Sequence, residues 1–572
     1  MKRITASDYI VEFLIKKGVK DVFGYQGGMI AYLFDSLKKY DGQISYHIPY
    51  HEQGGSFAAN GNAQVSGKAG FCFVTSGPGF TNALTGMANA YCDSIPVIYI
   101  MGQVNYKDKK HGLQMRQKGF QEILAAEIAK PICKKSYDIE TVDEIIPALN
   151  EAYDIAMSGR KGPVFLDIPI NVFREYVEFD EIKDFPPTSI SNNFDLTSVI
   201  SIIESSEKPV ILAGAGIKQA RLTRQFRDFI NKTNIPVVTS MLAVDLLEDG
   251  DAHKFGFIGP DGIRCANYII DKSDCVISLG SRLEPRQTGY NVSLFAPGAK
   301  IIRLDIDESE FNRIINSNTI NVNMSLSDFI SFCNISDINS HKQWLQKCTQ
   351  VKELLKGIDV CIANEYIKAL SDLFIEDGKV FLDVGKNELW GAQSVSIKAR
   401  TEVFMSGGFG SMGYSLPAAI GACFETKKPT YSLNGDGGIQ MNIQEFQTIV
   451  KNQLPVKIIV INNHALANVA IFQDRWLGSR YVGTLESKGD YYAANICEIA
   501  KAYGIRSTHL YSLNDVQSCA RLLSDDKPVV IEFTVPELTP VLPDIGADKD
   551  PLRADHKIPS NLVDEIERMV TC

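Results

Sequence analysis

Residues 433–463 read LNGDGGIQMNIQEFQTIVKNQLPVKIIVINN, and their succession of turn, helix, turn, strand and turn decides the fold class. Gly435-Asp436-Gly437-Gly438 suits neither a helix interior nor a packed strand; its glycines permit positive φ and let backbone approach a ligand closely. Met441 to Lys451 has helical spacing, with Met441, Ile443, Phe446, Ile449 and Val450 offered to a core. Pro455 stops that helix. Lys457 to Ile461 is a short β-branched run, the pattern of a strand buried on both faces of a parallel sheet. Asn462-Asn463 ends it.

In a right-handed strand–helix–strand crossover, parallel strands end at one edge of the sheet. Asp436 and Asn463 are therefore expected to converge. A carboxylate, an amide oxygen and a nearby backbone carbonyl are hard oxygen ligands that suit Mg²⁺, with a diphosphate filling the remaining positions. The helix start adds N–H donors for an anion. An ordinary α/β turn is the alternative, since GDG alone is common in loops. GDG followed by about two dozen residues and NN resembles the diphosphate-binding motif of thiamine-diphosphate (ThDP) enzymes.

A chain of 572 residues is too long for one core, and three domains is the expectation. It is 45% hydrophobic and 22% charged, which fits a globular protein. A net charge of −10 argues against nucleic acid as the main partner. No apolar run reaches membrane-spanning length, so no membrane partner is expected. The N-terminus, MKRITASDYIVEFLIKKG, is interrupted by Asp8, Glu12 and two lysines; it reads as an amphipathic helix with a Thr5/Asp8 capping box rather than a signal peptide. The 12 cysteines form no CxxC pair and read as buried thiols of a cytoplasmic protein.

Helix-like and strand-like stretches alternate from residue 1 to about 180, the pattern of a doubly wound α/β domain. EFDEIKDFPPTSISNN, from Glu178 to Asn193, has linker composition. PVILAGAG, IPVVTSML, DCVISLGSRL and AKIIRLDID place a second α/β unit over 194–340. Ser340 to Ile358 is polar and helical, a second connection. A third domain spans 361–542 with VFLDVG, the stretch quoted above and PVVIEFTV, and 543–572 is a tail that closes over something. The first and third domains share a pattern.

Eight stretches in order, the last of them within the segment quoted above, resemble the acetolactate synthase group of ThDP enzymes over nearly the whole chain: FGYQGG, HEQGGSFAANGNAQVSGKAG, TSGPGFTNALTGMANAYCDSIPV, GFQE, SGRKGPVFLDIP, SRLEPRQTG, SGGFGSMGYSLPAAIGA and NGDGGIQMNIQEF. The resemblance implies an α/β protein of three doubly wound parallel-sheet domains of the pyruvate oxidase/decarboxylase-like type. The first binds the pyrimidine of ThDP, the second is Rossmann-like, and the third binds diphosphate and Mg²⁺. It also implies a homodimer or homotetramer with active sites between subunits, and leaves room for a small regulatory subunit.

Residue roles follow from the same resemblance. Glu52 is the acid that activates the cofactor's aminopyrimidine; the plainer reading is a helix cap. Gln26, Gly27 and Gly28 lie in the glycine-rich turn beside the cofactor and substrate. Mg²⁺ falls to Asp436, Asn463 and the carbonyl of Ala465. The diphosphate falls to Gly435, Gly437, Gly438, Leu466, Ala467 and the Val384-Gly385-Lys386-Asn387 stretch. The family usually has Gln-His there, so Lys386 departs from it; a solvated surface lysine is the alternative. Met412 is the apolar wedge that bends ThDP, or plain core packing. Phe120 and Gln121 approach the keto-acid substrate, and the preceding basic loop, NYKDKKHGLQMRQKG, suits an anionic substrate if it is not simply solvated. FAD, in a structural role, is implied at Arg160, Gly214, Ala215, Gly216, Ser240, Met241, Leu242, Gly280, Ser281, Arg282, Arg286, Gln287, Asp305 and Ile306; relatives with this domain bind ADP or nothing.

At the acceptor segment the family's usual Met and Trp are replaced by Asn468 and Phe472, while Val469 and Gln473 are kept. The expectation is a carboligase with pyruvate as donor that forms 2-acetolactate. Two alternatives stand beside it: the same donor chemistry with a keto sugar or another 2-oxo acid as acceptor, in surface-polysaccharide synthesis, and an inactive ThDP-binding scaffold subunit.

Overall fold

The structure, a computed structural model, describes residues 1–182, 194–545, 550–554 and 557–571. Of the linker expected over 178–193, residues 183–193 lie outside the described residues, and Glu178 and Phe179 belong to the strand Tyr176–Phe179, which pairs antiparallel with Lys2–Thr5.

Three six-stranded parallel sheets carry the chain. The first runs Ser45–His47, Asp21–Gly24, Gly70–Thr75, Val97–Gln103, Val164–Pro169, Lys135–Asp138 across the sheet. The third runs Glu402–Met405, Lys379–Leu382, Thr430–Gly435, Val456–Asn462, Val529–Thr534, Arg506–Leu510. Numbered within each six-stranded sheet, both orders are 2-1-3-4-6-5, so the shared pattern of first and third domains is a shared topology. The central sheet has the order 3-2-1-4-5-6 of a dinucleotide-binding fold, with Pro209–Ala213 and Cys275–Leu279 at its middle. Central strands such as Phe71-Cys72-Phe73-Val74 and Ile458 to Ile461 are buried on both faces, which is why they read as unbroken apolar runs.

The small-residue helix Glu52–Ser66 packs against Ser415–Thr426 of the third domain at backbone distance. A Cβ on Gly61 would fall 2.0 Å from the Ala418 carbonyl oxygen, and one on Gly421 1.9 Å from that of Ala58. That approach explains FAANGNA and PAAIGA: any larger residue at either glycine separates the two domains.

Three local expectations are corrected. Met441 to Lys451 is not one helix. Residues Ile439–Glu445 form a 3₁₀ turn with Asn442 at φ −135°, and the α-helix is Phe446–Asn452. The kink turns Met441 and Val450 to solvent, while Phe446 and Ile449 stay buried. The N-terminal capping box is half made. Thr5 Oγ1 accepts from Asp8 N at 3.2 Å, but the Asp8 carboxylate is taken by Ser36 Oγ at 2.6 Å. The stretch 340–358 is more than a connection: helix Lys342–Leu354 buries Trp344, Leu345, Cys348 and Val351 in the central domain. Of the described tail residues, Leu552, Ile558, Val563, Ile566 and Val570 are buried in that same cluster.

The described cysteines are free thiols, all buried except Cys92 and Cys361, which are half-buried. Among the described residues no helix is long and apolar enough to cross a membrane.

Candidate active site

The strands Thr430–Gly435 and Val456–Asn462 are neighbours in parallel register, with Gly435 opposite Ile461. Asp436 and Asn463 therefore leave the sheet at one edge, as the spacing predicts. Strand Lys379–Leu382 adds Asp383, Val384 and Gly385 at the same edge. One cleft there is lined by every third-domain residue expected at the cofactor, from Val384 through Met412, Asp436, Asn463 and Ala465 to Val469. Phe472 lies outside it, 56% exposed on the helix Ala467–Trp476.

The donor set suits a hard cation. Asp436 Oδ1 accepts from Gly437 N at 3.0 Å, while Oδ2 is buried with no hydrogen-bond partner. Burial pushes the Asp436 carboxyl up to about 6, against the pull of the Gly437 N–H and the nearby His464. Asn463 donates its amide nitrogen to the Glu537 carbonyl at 3.0 Å, which leaves the amide oxygen as the available ligand. His464 between them has φ 54°, the left-handed turn that brings Ala465 back to the cleft. Among the described residues no cluster of three His, Cys, Asp or Glu side chains could hold a metal, so an ion at Asp436 needs amide, carbonyl and ligand oxygens to complete its shell.

Lys386 is not a surface lysine. It is 4% exposed at the start of helix Lys386–Ser394, and its Nζ donates to the Thr539 carbonyl at 2.6 Å. The segment after the last strand is latched to this helix again by Trp390 Nε1 to Pro540 O (3.0 Å) and Gln393 Nε2 to Leu542 O (2.8 Å).

The sequence reading missed Asp383. Its carboxylate accepts from Gly413 N (3.0 Å) and Ser415 N (3.3 Å), so it fixes the turn that presents Met412. Burial raises this carboxyl to about 7, with the backbone N–H groups pulling it back. An acid ending the apolar run VFLD was the available signal. Tyr491 was missed too: its hydroxyl lies 3.1 Å from where a Cβ on Gly437 would sit. Nothing in its local pattern marks it.

The first-domain residues gather at the matching edge of the first sheet. Glu52 is the first residue of its helix, but the cap is His51, whose Nδ1 accepts from Gln53 N at 3.1 Å. Glu52 Oε2 instead accepts from Asn82 Nδ2 at 2.9 Å. A Cβ on Gly79 would meet Glu52 Oε1 at 3.4 Å, and one on Gly77 would meet the Gln121 Cβ at 3.0 Å. Gly27 rests on Thr75, where a Cβ would come within 2.6 Å. The hydroxyls of Thr75 and Ser76, beside these groups, are buried without partners. Gly28 begins a 3₁₀ turn with open space at its Cα, and Gln26 accepts from Gly27 N. Gln121 has φ 66° and Phe120 is 79% exposed. None of these residues lines the Asp436 cleft.

Two lysines of the basic loop donate within it, and Lys109 pairs with Asp138 outside it. Lys118 Nζ donates to the Lys107 carbonyl at 2.6 Å and Lys110 Nζ to that of Met115 at 3.2 Å. Glu122 accepts from the backbone N–H groups of Lys110, Lys118 and Gly119, which holds its carboxyl below the usual range despite burial.

In the central domain a second cavity is lined by Arg160, Ala215, Gly216, Ser240, Leu242, Gly280, Ser281, Arg282, Asp305 and Ile306. Met241 and Arg286 line the adjoining cleft toward the third domain. Gly214 has a packing role: a Cβ there would strike the Gly280 carbonyl oxygen at 2.1 Å. Ser240 Oγ and Asp93 Oδ2 are buried without partners, and both residues line the cavity, which marks it as a place for a polar ligand. Arg160 is already paired with Asp307 at 2.9 Å and with Glu310.

Three family models match the chain: the N-terminal TPP-binding domain of thiamine pyrophosphate enzymes over residues 4–128, their central domain over 196–331, and their C-terminal TPP-binding domain over 383–533. The chain is 32% identical over 586 residues to the acetolactate synthase large subunit of Lactococcus lactis, covering 99% of this chain and 98% of that one. It is 31% identical over 556 residues to the acetolactate synthase isozyme 2 large subunit of Escherichia coli, covering 94% and 97%. A probable acetolactate synthase large subunit of Methanocaldococcus jannaschii is 31% identical over 595 residues, covering 98% of each.

Proposed function

The chain belongs to the acetolactate synthase large-subunit family of ThDP-dependent enzymes, and from that premise we propose that it is a ThDP- and Mg²⁺-dependent decarboxylating carboligase with pyruvate as donor. The observation that carries the reading is the buried, unpartnered Asp436 Oδ2 beside Asn463 and Lys386 at one strand edge. That set receives a metal-bound diphosphate and little else.

When bound, ThDP supplies a carbon nucleophile that takes up pyruvate, releases CO₂ and passes the remaining two carbons to a second carbonyl. With pyruvate as acceptor the product is 2-acetolactate. The chain's own groups hold and orient. Asp436, Asn463 and the Ala465 carbonyl hold Mg²⁺. The Val384–Asn387 stretch and the Gly435–Gly438 turn cradle the diphosphate. Met412, in the turn that Asp383 fixes through Gly413 N, would supply the apolar contact that holds the bound cofactor. Glu52, oriented by Asn82, exchanges a proton with the ring nitrogen of the aminopyrimidine. Gln121 positions the keto acid.

Glu52 and Gln121 do not line the Asp436 cleft of their own chain, so a second copy supplies the first-domain half of each site. The exposed Leu113, Met115 and Phe120 on one half-site and Val469, Phe472 and Trp476 on the other support that pairing. FAD fills the central cavity, where Ser240 Oγ and Asp93 Oδ2 await partners, in a structural role.

One observation favours a wider choice of acceptor: Asn468 and Val469 line the outer end of the cleft, and Phe472 lies exposed a turn beyond. A polar or larger acceptor is the second reading. Titration of ThDP at fixed Mg²⁺ tests the proposal. Asp436→Ala should lose metal and cofactor affinity together, and equal binding by the variant and its parent would reduce Asp436 to a turn residue.

A further inference from the structure

A carboxylate taken out of water is costly unless its surroundings use it. Glu445 of the third domain is 1% exposed, and among the described residues no cationic side chain pairs with it. It holds backbone instead. Its Oε1 accepts from Tyr50 N at 3.0 Å, and the His51 N–H donates to the same carboxylate. Thr448 Oγ1 donates to Oε2 at 2.5 Å and so aims the group.

Those two peptide N–H groups, in the first domain, come immediately before Glu52. His51 caps the helix Glu52–Ser66 in extended conformation, with φ −156° and ψ 144°. Three residues before Glu445, Asn442 grips the other side of Glu52: its Nδ2 donates to Gln53 Oε1 at 3.2 Å. The non-helical φ of −135° at Asn442 lets one short segment present both side chains to the first domain. Gly54 completes the fit, since a Cβ there would lie 2.5 Å from Glu445 Oε1. Glu52 therefore sits between neighbours that the third domain grips on both sides, while Asn82 holds its carboxylate at 2.9 Å. Adhesion of the two domains does not need a carboxylate here. They already meet at backbone distance further along the helices, where Gly61 faces Ala418 and Gly421 faces Ala58.

We propose that Glu445 is a positioning residue for Glu52: it fixes the Tyr50–His51 turn, and through that turn the place where the Glu52 carboxylate meets the cofactor. The inference rests on the function proposed above and adds to it a residue that touches neither cofactor nor substrate. The required precision is high, because a misplacement of about 1 Å can cost about 10²-fold in rate. Without the acceptor, the Tyr50 and His51 N–H groups are left buried and unpaired, and the turn relaxes toward other partners.

The test compares the full chain with Glu445→Leu, which fills much of the same space without an acceptor, and with Glu445→Gln, which keeps one acceptor oxygen. Each is also combined with Glu52→Gln. Four quantities are measured: kcat, ThDP affinity at fixed Mg²⁺, exchange of the ThDP C2 proton for deuterium without pyruvate, and backbone amide exchange at Tyr50 and His51 in the ligand-free protein. The Leu variant should lose about 10²-fold in kcat and in C2 exchange. Its ThDP affinity should stay within about threefold of the parent, since ground-state binding is not what the residue supplies. Its Tyr50 and His51 amides should exchange faster. The Gln variant should recover most of kcat. In the Glu52→Gln background the Leu substitution should cost nothing further, because a residue that acts through another is not additive with it. Thr448→Val, which removes only the hydroxyl that aims the carboxylate, should show a smaller loss with the same non-additivity, and it serves in place of the Leu variant if that one does not fold. Losses that add to those of Glu52→Gln would overturn the proposal, and so would normal kcat with freed amides, since Glu445 would then be a clasp between domains. Parental amide protection in the Leu variant would overturn it as well. A parent with no ThDP-dependent turnover would overturn the proposed function and this role together, an outcome distinct from an active parent with additive losses.

Discussion

Asn82 Nδ2 donates to Glu52 Oε2 at 2.9 Å, across the start of two helices that leave the first sheet at one edge. The bond holds one carboxylate oxygen and leaves the other facing Gly79, whose missing side chain keeps that side open. Glu52→Gln should fold and bind ThDP yet lose about 10²–10⁴-fold in turnover, the usual contribution of a positioned acid or base. Steady-state rates at saturating cofactor measure it, and near-parental turnover would remove Glu52 from the chemistry.

The central cavity yields a colour test. Purified protein should be yellow and release FAD on denaturation. Gly214→Val should be colourless, because its side chain would occupy the position 2.1 Å from the Gly280 carbonyl oxygen and push the two cavity walls apart. A colourless parent that takes up no FAD would leave the cavity to ADP or to no ligand.

Glu445 joins the first and third domains: its Oε1 accepts from Tyr50 N at 3.0 Å and its Oε2 from Thr448 Oγ1 at 2.5 Å. Burial raises its carboxyl to about 7, more than the hydrogen bonds from Thr448, Tyr50 and His51 lower it. The unfolded chain releases this proton near pH 4.5 and the folded one near 7, so stability falls as pH rises between those values. Glu445→Gln should abolish that part of the slope. Urea midpoints at pH 4.5, 6 and 7.5 should show the variant gaining on the parent up to pH 7 and holding the gain above it. A parallel pair of curves would assign the slope to other groups.

Phe472 stands exposed outside the cleft, one turn along the helix Ala467–Trp476 from Asn468, which lines it. A phenyl ring covers less area than an indole and lacks its N–H, and an Asn amide offers a donor and an acceptor. Pyruvate condensation should therefore show weak preference for 2-oxobutyrate over pyruvate as acceptor, and Phe472→Trp should raise it. A strong native preference that the substitution leaves unchanged would place acceptor choice elsewhere.

The third domain was legible because its signals are local. Glycine-flanked Asp436, the β-branched run to Ile461 and the Asn pair lie within one crossover, and parallel register does the rest. The helix before Pro455 misled because apolar spacing cannot register the kink at Asn442, which hydrogen-bonds Gln53 Oε1 in the first domain at 3.2 Å and the Gly413 carbonyl of its own domain at 2.9 Å. Asn82 was illegible, and Asp383 was marked only by ending the run VFLD, for the same reason: what makes them matter is a partner 30 or so residues away, and only the folded chain sets those distances. The burial of Lys386 was equally hidden, since a lysine after a glycine reads as solvated until the chain around Thr539 is laid over it.

The most direct test incubates the protein with ThDP, Mg²⁺, FAD and pyruvate labelled at C2 and C3, and identifies every carbon-bonded product by mass. The account predicts a 2-acetolactate in which both pyruvate units carry their two labelled carbons, or an acyloin carrying the labelled two-carbon unit when another acceptor is added, with one CO₂ released per product, none formed without ThDP, and formation slowed about 10²–10⁴-fold with Glu52→Gln. Pyruvate that stays intact at full occupancy of ThDP and Mg²⁺, or that is lost without any new carbon–carbon bond, would contradict it.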